Sequence, residues 1–152
     1  MESFLVGLIS DTHGLLREEA LAALRGSRAI IHAGDVGDPA ILGRLREIAP
    51  LHAVRGNVDT EPWCRLPEVA VAELAGSSVY VLHDLETLDI DPAASGFPIV
   101  ISGHTHQPKV HWQGGVLFIN PGSAGPKRFR LPVCLARLDL LKIPWQPEFV
   151  PL

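Results

Sequence analysis

The sequence predicts an α/β protein in which two β-sheets pack together into one sandwich. Residues 4–54 alternate short apolar runs with helical patterns, which is typical of a mostly parallel sheet with helical crossovers. Residues 69–139 contain short apolar runs divided by Gly and Pro, and this pattern predicts a second sheet built largely of hairpins. No linker of biased composition separates the two halves, so residues 1–152 are expected to form one domain.

The first half is predicted to run strand, helix, strand, helix, strand. In order, these elements cover residues 4–10, 15–25, 28–32, 39–48 and 51–54. The first helix has apolar residues at helical spacing and Gly26 as a stop. Asp38 and Pro39 are typical of the start of the second helix, where a side-chain cap and a proline are favoured.

The second half is predicted to contain six strands. They cover residues 69–74, 78–83, 99–102, 109–112, 116–119 and 133–139. Gly114 and Gly115 are expected to form a two-residue hairpin turn between the fourth and the fifth of these. The prolines in residues 84–98 allow at most a short helix there, and the Pro-rich residues 144–152 are expected to lie over a sheet edge or to meet a neighbouring chain.

Composition limits the class of protein. Apolar residues make up 47% of the chain, the mean hydropathy is +0.21 and the formal charge is -4, so the chain can bury a core and is unsuited to wrapping nucleic acid or binding an anionic membrane. No apolar run approaches the roughly 18 to 20 residues that span a bilayer, and no signal-peptide layout is present. We therefore expect a cytoplasmic protein. Cys64 and Cys134 lie in no metal-binding spacing.

Polar side chains follow one predicted strand after another. They are Asp11 and His13 after the first strand, Asp35 and Asp38 after the second, Asn57 and Asp59 after the third, then His83, and finally His104 and His106. The carboxyl ends of strands in an open α/β sheet line one crevice, so these loops are expected to deliver their side chains to the same place. His32, His52 and His111 are expected to be packed or surface residues outside this site.

Seven of these side chains are candidate metal ligands: Asp11, His13, Asp35, Asn57, His83, His104 and His106. Carboxylate, imidazole and amide ligands without thiolate suit Mn, Fe or Zn, and seven ligands are too many for one ion. Two adjacent ions typically hold a bridging hydroxide and clamp a phosphoryl oxygen, so phosphoester hydrolysis is the chemistry that this set suits best. The neighbouring Gly14, Gly34, Gly37, Gly56 and Gly103 are expected to allow close approach and positive φ.

Four motifs in order resemble those of the calcineurin-like metallophosphoesterases. They are D-x-H at residues 11–13, G-D-x-x-D at 34–38, G-N-x-D at 56–59 and G-H-T-H at 103–106. With His83 between them and N-P-G-S at residues 120–123, the whole chain resembles the small bacterial and archaeal phosphodiesterase branch, to which the retromer's phosphoesterase-like subunit is related. The resemblance implies a four-layer αββα sandwich of two mixed sheets.

The resemblance also implies a role for each ligand. One ion would be held by Asp11, His13, Asp35 and His106 and the other by Asp35, Asn57, His83 and His104, with Asp35 as the bridge. Asn57 and His104 would bind substrate, and Asn57 would donate its amide to the phosphoryl group. Asp35 and Asn57 are thus catalytic candidates, joined by Asp38 and Asp59, which would orient an imidazole or hold a loop. Asp38 can equally be a helix cap.

Two positions depart from the pattern of the larger family members. Val58 stands where larger phosphatases of the superfamily have a histidine that protonates the leaving group, which favours phosphodiesters or substrates with good leaving groups. Asp84 follows His83 where relatives commonly have glycine, so the wall of the substrate pocket is expected to differ.

The expected function is that of a dinuclear metal-dependent phosphodiesterase or phosphatase, acting through a metal-bridging hydroxide on a small phosphoester. A nucleotide-derived substrate stays open. Manganese is favoured, with Fe, Ni or Zn as alternatives. The alternative functions are a non-catalytic protein-binding module and a purely structural metal site. No stable nucleic-acid or membrane partner is expected, and the Pro-rich tail leaves a homo-oligomer open.

Overall fold

Strands dominate the part of the chain that the structure, a computed structural model, describes: residues 3–60 and 63–152. Within these ranges the strands are β1 (Leu5–Ile9), β2 (Ala29–His32), β3 (Leu51–Ala53), β4 (Val69–Leu74), β5 (Ser77–Leu82), β6 (Ile99–Ile101), β7 (Lys109–Gln113), β8 (Val116–Asn120), β9 (Cys134–Asp139) and β10 (Glu148–Pro151). The helices are α1 (Glu18–Leu24), α2 (Pro39–Arg46) and a 3-10 turn at Leu85–Thr87.

The first sheet has the strand order β10-β9-β1-β2-β3. Strands β1, β2 and β3 are parallel, whereas β9 runs antiparallel to β1 and β10 antiparallel to β9. Helices α1 and α2 cover one face of this sheet, where Leu24 and Leu45 pack with Ile9 and Ile30 in one buried cluster. The predicted alternation of strands and helices in the first half is therefore confirmed.

Helix α1 is shorter than the predicted residues 15–25. It begins at Glu18 because residues 12–15 form a turn, in which the Leu15 N–H donates to the Thr12 carbonyl at 2.9 Å. Gly14, with φ of 85°, belongs to the same turn. This turn is part of the loop that carries Asp11 and His13.

The second sheet has the strand order β4-β5-β6-β8-β7. Strands β5, β6 and β8 are parallel and the two edge strands are antiparallel to their neighbours, so this sheet is mixed like the first. Gly114 and Gly115 join β7 to β8 with φ of 58° and 80°, as the predicted two-residue hairpin requires.

The two sheets pack face to face. Leu8 and Ile31 of the first sheet and Val81, Ile101 and Ile119 of the second belong to the buried cluster between them. Helices lie on the outer face of the first sheet. The two-sheet α/β sandwich that the sequence predicts is therefore confirmed. The expectation that residues 133–139 join the second sheet is wrong, because β9 pairs with β1 in the first.

The outer layer on the second sheet is thin. It contains the single 3-10 turn at Leu85–Thr87, where residues 84–98 were predicted to hold at most a short helix. Leu85, Leu88 and Phe97 pack there on Tyr80 and Leu82. This layer leaves part of the sheet's outer face open beside the loop that follows β6.

The C-terminal segment closes one edge of the first sheet. Its last strand, β10, pairs antiparallel with β9, so the prediction that this segment lies over a sheet edge is confirmed. Trp145 donates its indole N–H to the Leu140 carbonyl at 3.0 Å and packs with Phe149 against the core between the sheets. No helix in the described ranges combines the length and apolar character needed to cross a bilayer.

Candidate metal centre

The predicted ligands meet where parallel strands of both sheets end. Strands β1, β2 and β3 deliver Asp11 and His13, Asp35, and Asn57 in the loops that follow them. Strands β5 and β6 deliver His83, and His104 and His106, from the second sheet. A hydrogen bond from His83 Nδ1 to the Ala33 carbonyl, at 2.7 Å, joins the loops of the two sheets directly.

One group of ligand atoms consists of Asp11, His13 and His106. Asp11 Oδ1 lies 3.3 Å from His106 Nε2 and 3.8 Å from His13 Nε2. The two Nε2 atoms are 3.3 Å apart. All three ligand atoms thus surround one small volume in which a metal ion fits.

A second group consists of Asp11, Asp35 and His83. Asp35 Oδ2 lies 3.3 Å from His83 Nε2 and 3.5 Å from His13 Nε2, so this oxygen stands between an imidazole of each group. This oxygen is therefore within reach of nitrogen ligands from both groups. Asp11 also belongs to both groups, because its Oδ1 lies 3.9 Å from His83 Nε2.

Asn57 and His104 complete the second group on its exposed side. Asn57 Oδ1 is 3.1 Å and His104 Nδ1 is 3.3 Å from His83 Nε2. Both residues are exposed, whereas Asp11, Asp35, His83 and His106 are buried. The structure therefore brings all seven predicted ligands together, with two of them on the open side of the cluster.

The carboxylate of Asp11 shows that a cation fits this cluster. Its Oδ2 accepts hydrogen bonds from Ser10 Oγ at 2.6 Å and from the His104 N–H at 3.1 Å. Its Oδ1 is buried and has no hydrogen-bond partner among the described residues, although three imidazole nitrogens face it. Buried polar atoms are rarely left unpaired, and a divalent ion on nitrogen and oxygen ligands would satisfy this one.

The charges of the cluster match a cation site. Burial alone would raise the pKa of Asp11, but the imidazoles of His106 and His13 beside its carboxylate hold that pKa far below its usual range. Burial likewise opposes the ionisation of Asp35, yet His83 and the Val58 N–H lower the pKa of Asp35. Burial would lower the pKa of His83, but the neighbouring carboxylates of Asp35 and Asp11 outweigh it and raise that pKa. Both carboxylates are thus anionic and ready to bind metal.

The hydrogen bond to Ala33 also fixes the tautomer of His83. Because a carbonyl oxygen accepts from Nδ1, the proton lies on that nitrogen, and Nε2 keeps its lone pair toward Asp35 and Asn57. Metal-binding histidines are typically oriented by such a bond from the other ring nitrogen.

The backbone of the ligands themselves is unusual. Five ligands have left-handed φ values: Asp11 (56°), His13 (46°), Asp35 (57°), His104 (74°) and His106 (65°). Residues other than glycine adopt this region in only a few per cent of cases, at a cost of about 1 to 3 kcal/mol in sparsely populated conformations. Such strain concentrates at functional sites. Sequence reasoning missed this feature, because it assigned positive φ to the neighbouring glycines.

The glycines divide into two kinds. Gly14, Gly34 and Gly37 have positive φ as predicted, with values of 85°, 105° and 87°. Gly56 and Gly103 do not, so that prediction is wrong for them. They are needed for space instead, because a Cβ at Gly56 would collide with the Asp35 carboxylate and one at Gly103 with Ser10 Oγ.

Asp59 holds two ligand loops together. Its buried carboxylate accepts from the N–H groups of Val36 at 3.0 Å, Gly37 at 2.9 Å and Gly56 at 2.9 Å. These N–H groups belong to the loops that carry Asp35 and Asn57. Of the two tasks predicted for this residue, loop holding is the one that the structure shows.

Asp38 is a helix cap. Its side chain is exposed and accepts from the Ala40 N–H at 2.9 Å at the start of α2. The prediction that Asp38 orients an imidazole is therefore wrong, because the carboxylate satisfies an N–H group that the first turn of the helix would otherwise leave unpaired.

Residues 120–123 support the ligand loops from β8. Asn120 donates to the Gly103 carbonyl at 2.9 Å and to Thr105 Oγ1 at 3.1 Å, and Ser123 Oγ donates to the Asp11 carbonyl at 3.0 Å. Sequence spacing alone gave these residues no role beyond a turn. The family resemblance was the signal that placed them beside the site.

Two clefts flank the exposed ligands. The larger, of about 380 Å³, extends from Asn57 toward Arg55 and Thr87. Asp84 and His104 line its far side, and Asp84 Oδ2 lies 3.8 Å from His104 Nε2. Asp84 also accepts from the Glu86 N–H at 3.0 Å, so its carboxylate caps the 3-10 turn. The residue that replaces the usual glycine is therefore part of the wall between the clefts.

Comparison with protein families agrees with this site. A model of the calcineurin-like phosphoesterase superfamily domain matches residues 4–142, which include all seven ligands. The chain belongs to the calcineurin-like phosphoesterase superfamily. Members of this superfamily that resemble the chain include a probable metallophosphoesterase from Methanothermobacter thermautotrophicus, which is 33% identical over 148 residues and covers 89% of this chain and 86% of the relative.

Solved structures show the same fold. A predicted phosphoesterase from Streptococcus pneumoniae has a TM-score of 0.80 and 27% identity, and the match covers 99% of this chain and 91% of that one. An archaeal phosphodiesterase has a TM-score of 0.81 and 21% identity, with 97% and 100% covered. The similarity to the archaeal protein concerns the fold. The chain is thus a metallophosphoesterase-family protein with candidate ligands for divalent metal.

Proposed function

We propose that this phosphoesterase is a dinuclear, manganese-dependent enzyme that hydrolyses phosphodiesters. The position of Asp35 carries the proposal: its Oδ2 stands between His83 Nε2 and His13 Nε2, at 3.3 and 3.5 Å. A carboxylate oxygen between two sets of nitrogen ligands is the arrangement that two neighbouring ions require.

The ligands divide into two sets in this proposal. Asp11, His13 and His106 hold one ion, and Asn57, His83 and His104 hold the other, with Asp35 shared. Two such ions supply a water of lowered pKa and positive charge for the phosphoryl group. The oxygen and nitrogen ligands suit manganese, whereas Fe, Ni and Zn are alternatives that the same donors accept.

Asn57 and Val58 bear on two features of the proposed reaction, the binding of the phosphoryl group and the kind of leaving group. The Asn57 amide oxygen faces His83, so its N–H₂ group is left to donate to a phosphoryl oxygen in the open cleft. The side chain of Val58 is 44% exposed and carries no proton to give. The enzyme therefore relies on leaving groups that depart without protonation by residue 58, which favours activated diesters.

The test compares two chromogenic substrates that share a leaving group. Purified protein is stripped of metal and assayed with and without Mn on bis-p-nitrophenyl phosphate and p-nitrophenyl phosphate. We expect Mn-dependent hydrolysis with a higher kcat/KM for the diester. Asp35→Asn should lower kcat/KM for the diester by more than about 100-fold, because the loss of a residue that only orients a metal ligand already lowers activity by 10- to 100-fold. Asp91→Asn, which changes an exposed carboxylate outside both clefts, is the matched control.

One result would refute the proposal. If calorimetry shows that metal binds and neither substrate is turned over with Mn, Fe, Ni or Zn, the protein is not this enzyme. The non-catalytic binding module would then be the better interpretation of the fold.

A further inference from the structure

A second cleft, of about 290 Å³, opens directly beyond His104. It shares His104 and Asp84 with the cleft beside Asn57, so the two are separated only by this pair. It lies on the outer face of the second sheet, where β7 is largely exposed and Phe118 of β8 is half-buried. A phosphodiester held at the metal centre has two ester arms, and this cleft is where one of them can extend.

Two stacked rings form the floor of this cleft. His111 of β7 and Phe118 of β8 are direct cross-strand partners, and their ring centroids are 4.9 Å apart with an interplanar angle of 4°. Both rings line the cleft. The two rings face each other, so a planar ligand that enters the cleft can extend their stack at a ring face. Stacking on an aromatic side chain is sequence-tolerant and strong for nucleobases.

Hydrogen-bonding groups of both kinds surround the rings. Among the residues that line the cleft, Asp84 and Glu86 are acceptors and Lys109 is a donor. The buried Nδ1 atom of His111 has no hydrogen-bond partner among the described residues. Binding sites typically combine an apolar wall with a few polar groups of this sort, and the volume is at the lower end of roughly 300 to 1,000 Å³ for small-molecule sites.

We propose that this cleft binds the nucleoside arm of a phosphodiester substrate, with the base stacked against His111 and Phe118. The inference rests on the proposed function and adds the substrate class and a specificity-determining residue, His111. In the reaction the oxygen of water bonds to phosphorus and the P–O bond to the other arm breaks. The leaving group departs with the electron pair, the proton of water passes to it or to solvent, and a nucleoside monophosphate is the second product.

The test uses two diesters that differ only in the retained arm: thymidine 5′-(p-nitrophenyl phosphate) and methyl p-nitrophenyl phosphate. Both release p-nitrophenolate, so a difference in kcat/KM between them measures the contribution of the retained arm, thymidine or methyl. We expect His111→Ala to lower kcat/KM for the thymidine ester about tenfold, the order that base stacking gives. The same variant should change the methyl ester by less than about twofold, because that arm does not reach the rings. Trp112→Ala is the control, since it removes a larger exposed ring at the next position of β7, outside the cleft.

Calorimetry with thymidine 5′-monophosphate and inorganic phosphate gives a second readout. Weaker binding of the nucleotide by His111→Ala, with phosphate unchanged, supports the inference. Equal kcat/KM for the two esters, unaffected by His111→Ala, overturns it and leaves the proposed function standing. If neither ester is turned over, that result counts against the proposed function alone. The binding of thymidine 5′-monophosphate then tests the cleft by itself. Equal affinity of His111→Ala and the wild type for this nucleotide overturns the inference.

Discussion

Replacing Asp59 tests the architecture of the metal centre without touching a ligand. The Asp59 Oδ2 atom accepts from the N–H groups of Val36 and Gly56, and Oδ1 accepts from the N–H of Gly37. In Asp59→Asn the amide oxygen can keep the two bonds to Oδ2, but the N–H₂ group then faces the Gly37 N–H and one bond is lost. In Asp59→Ala all three N–H groups lose their partner.

The expected magnitudes follow from this count. A buried donor left unpaired costs about 1 to 3 kcal/mol. At about 1 to 2 kcal/mol for each donor, the free energy of unfolding should fall by about 1 to 2 kcal/mol in Asp59→Asn and by about 3 to 6 kcal/mol in Asp59→Ala. Because Asp59 joins the loops of Asp35 and Asn57, both variants should also bind Mn more weakly.

Urea unfolding of the metal-free proteins measures the loss, with the free energy obtained by linear extrapolation. Asp91→Asn, at an exposed position, should stay within about 0.5 kcal/mol of the wild type. The reasoning is refuted if Asp59→Asn also stays within that margin, or if the Asn and Ala variants lose the same free energy.

Three further predictions concern pH, metal and packing. Burial lowers the pKa of His32 to about 4, against 6.5 in the unfolded chain, so the unfolded state binds more protons between these values. Stability should fall by up to about 3 kcal/mol as pH drops from 6.5 to 4. Urea titrations at several pH values should show that stability falls less steeply with decreasing pH in His32→Asn than in the wild type. An equal fall in both proteins would contradict the assignment of this pH dependence to His32. Saturating Mn, at about 100 times its Kd, should raise Tm by about 5 to 10 °C in differential scanning calorimetry; a shift of the same size in Asp35→Asn would be inconsistent with the site. A Cβ at Gly125 would collide with the Asp11 carbonyl oxygen, so Gly125→Ala should lower the free energy of unfolding by about 1 to 3 kcal/mol. Gly43 lies in open space on α2, so Gly43→Ala should raise the free energy of unfolding by about 0.5 to 1 kcal/mol. Equal effects of the two glycine variants in urea unfolding would argue against this packing explanation.

Local patterns predict most of the strands and both helices, because their periodicity and glycine or proline boundaries are encoded nearby. The C-terminal strand β10 was predicted only as a segment over an edge. Its prolines, such as Pro147 and Pro151, hide the strand pattern, and its pairing depends on the free edge of β9, which lies outside the local sequence.

The ligand cluster could be predicted for a similar reason. Crossover topology brings the loops after β1, β2 and β3 to one edge, whatever the details of packing. The positions of His83, His104 and His106 after predicted strands of the second half placed them in the same set of ligands, and the family resemblance added their division between two ions.

What the sequence could not provide depends on side-chain direction and backbone angle. His111 was predicted to be outside the site, because alternation on an edge strand does not show that its ring faces a cleft. The left-handed φ of Asp11 or His106 has no signature in residue type. The two tasks of Asp38 have the same sequence pattern, and only the hydrogen bond to Ala40 distinguishes them.

The central position of β1 has a consequence for the order in which the protein forms during synthesis. One of its neighbours, β2, follows soon in the chain, but the other, β9, consists of residues 134–139. A ribosome-bound chain that has exported residues 3–60 can pair β1 with β2 and β2 with β3. It still presents the opposite edge of β1 unpaired and lacks His83, His104 and His106. Until synthesis passes residue 139, that edge is open to other strands. Before His83, His104 and His106 have been exported, ions in the cell encounter only the carboxylate-rich half of their site.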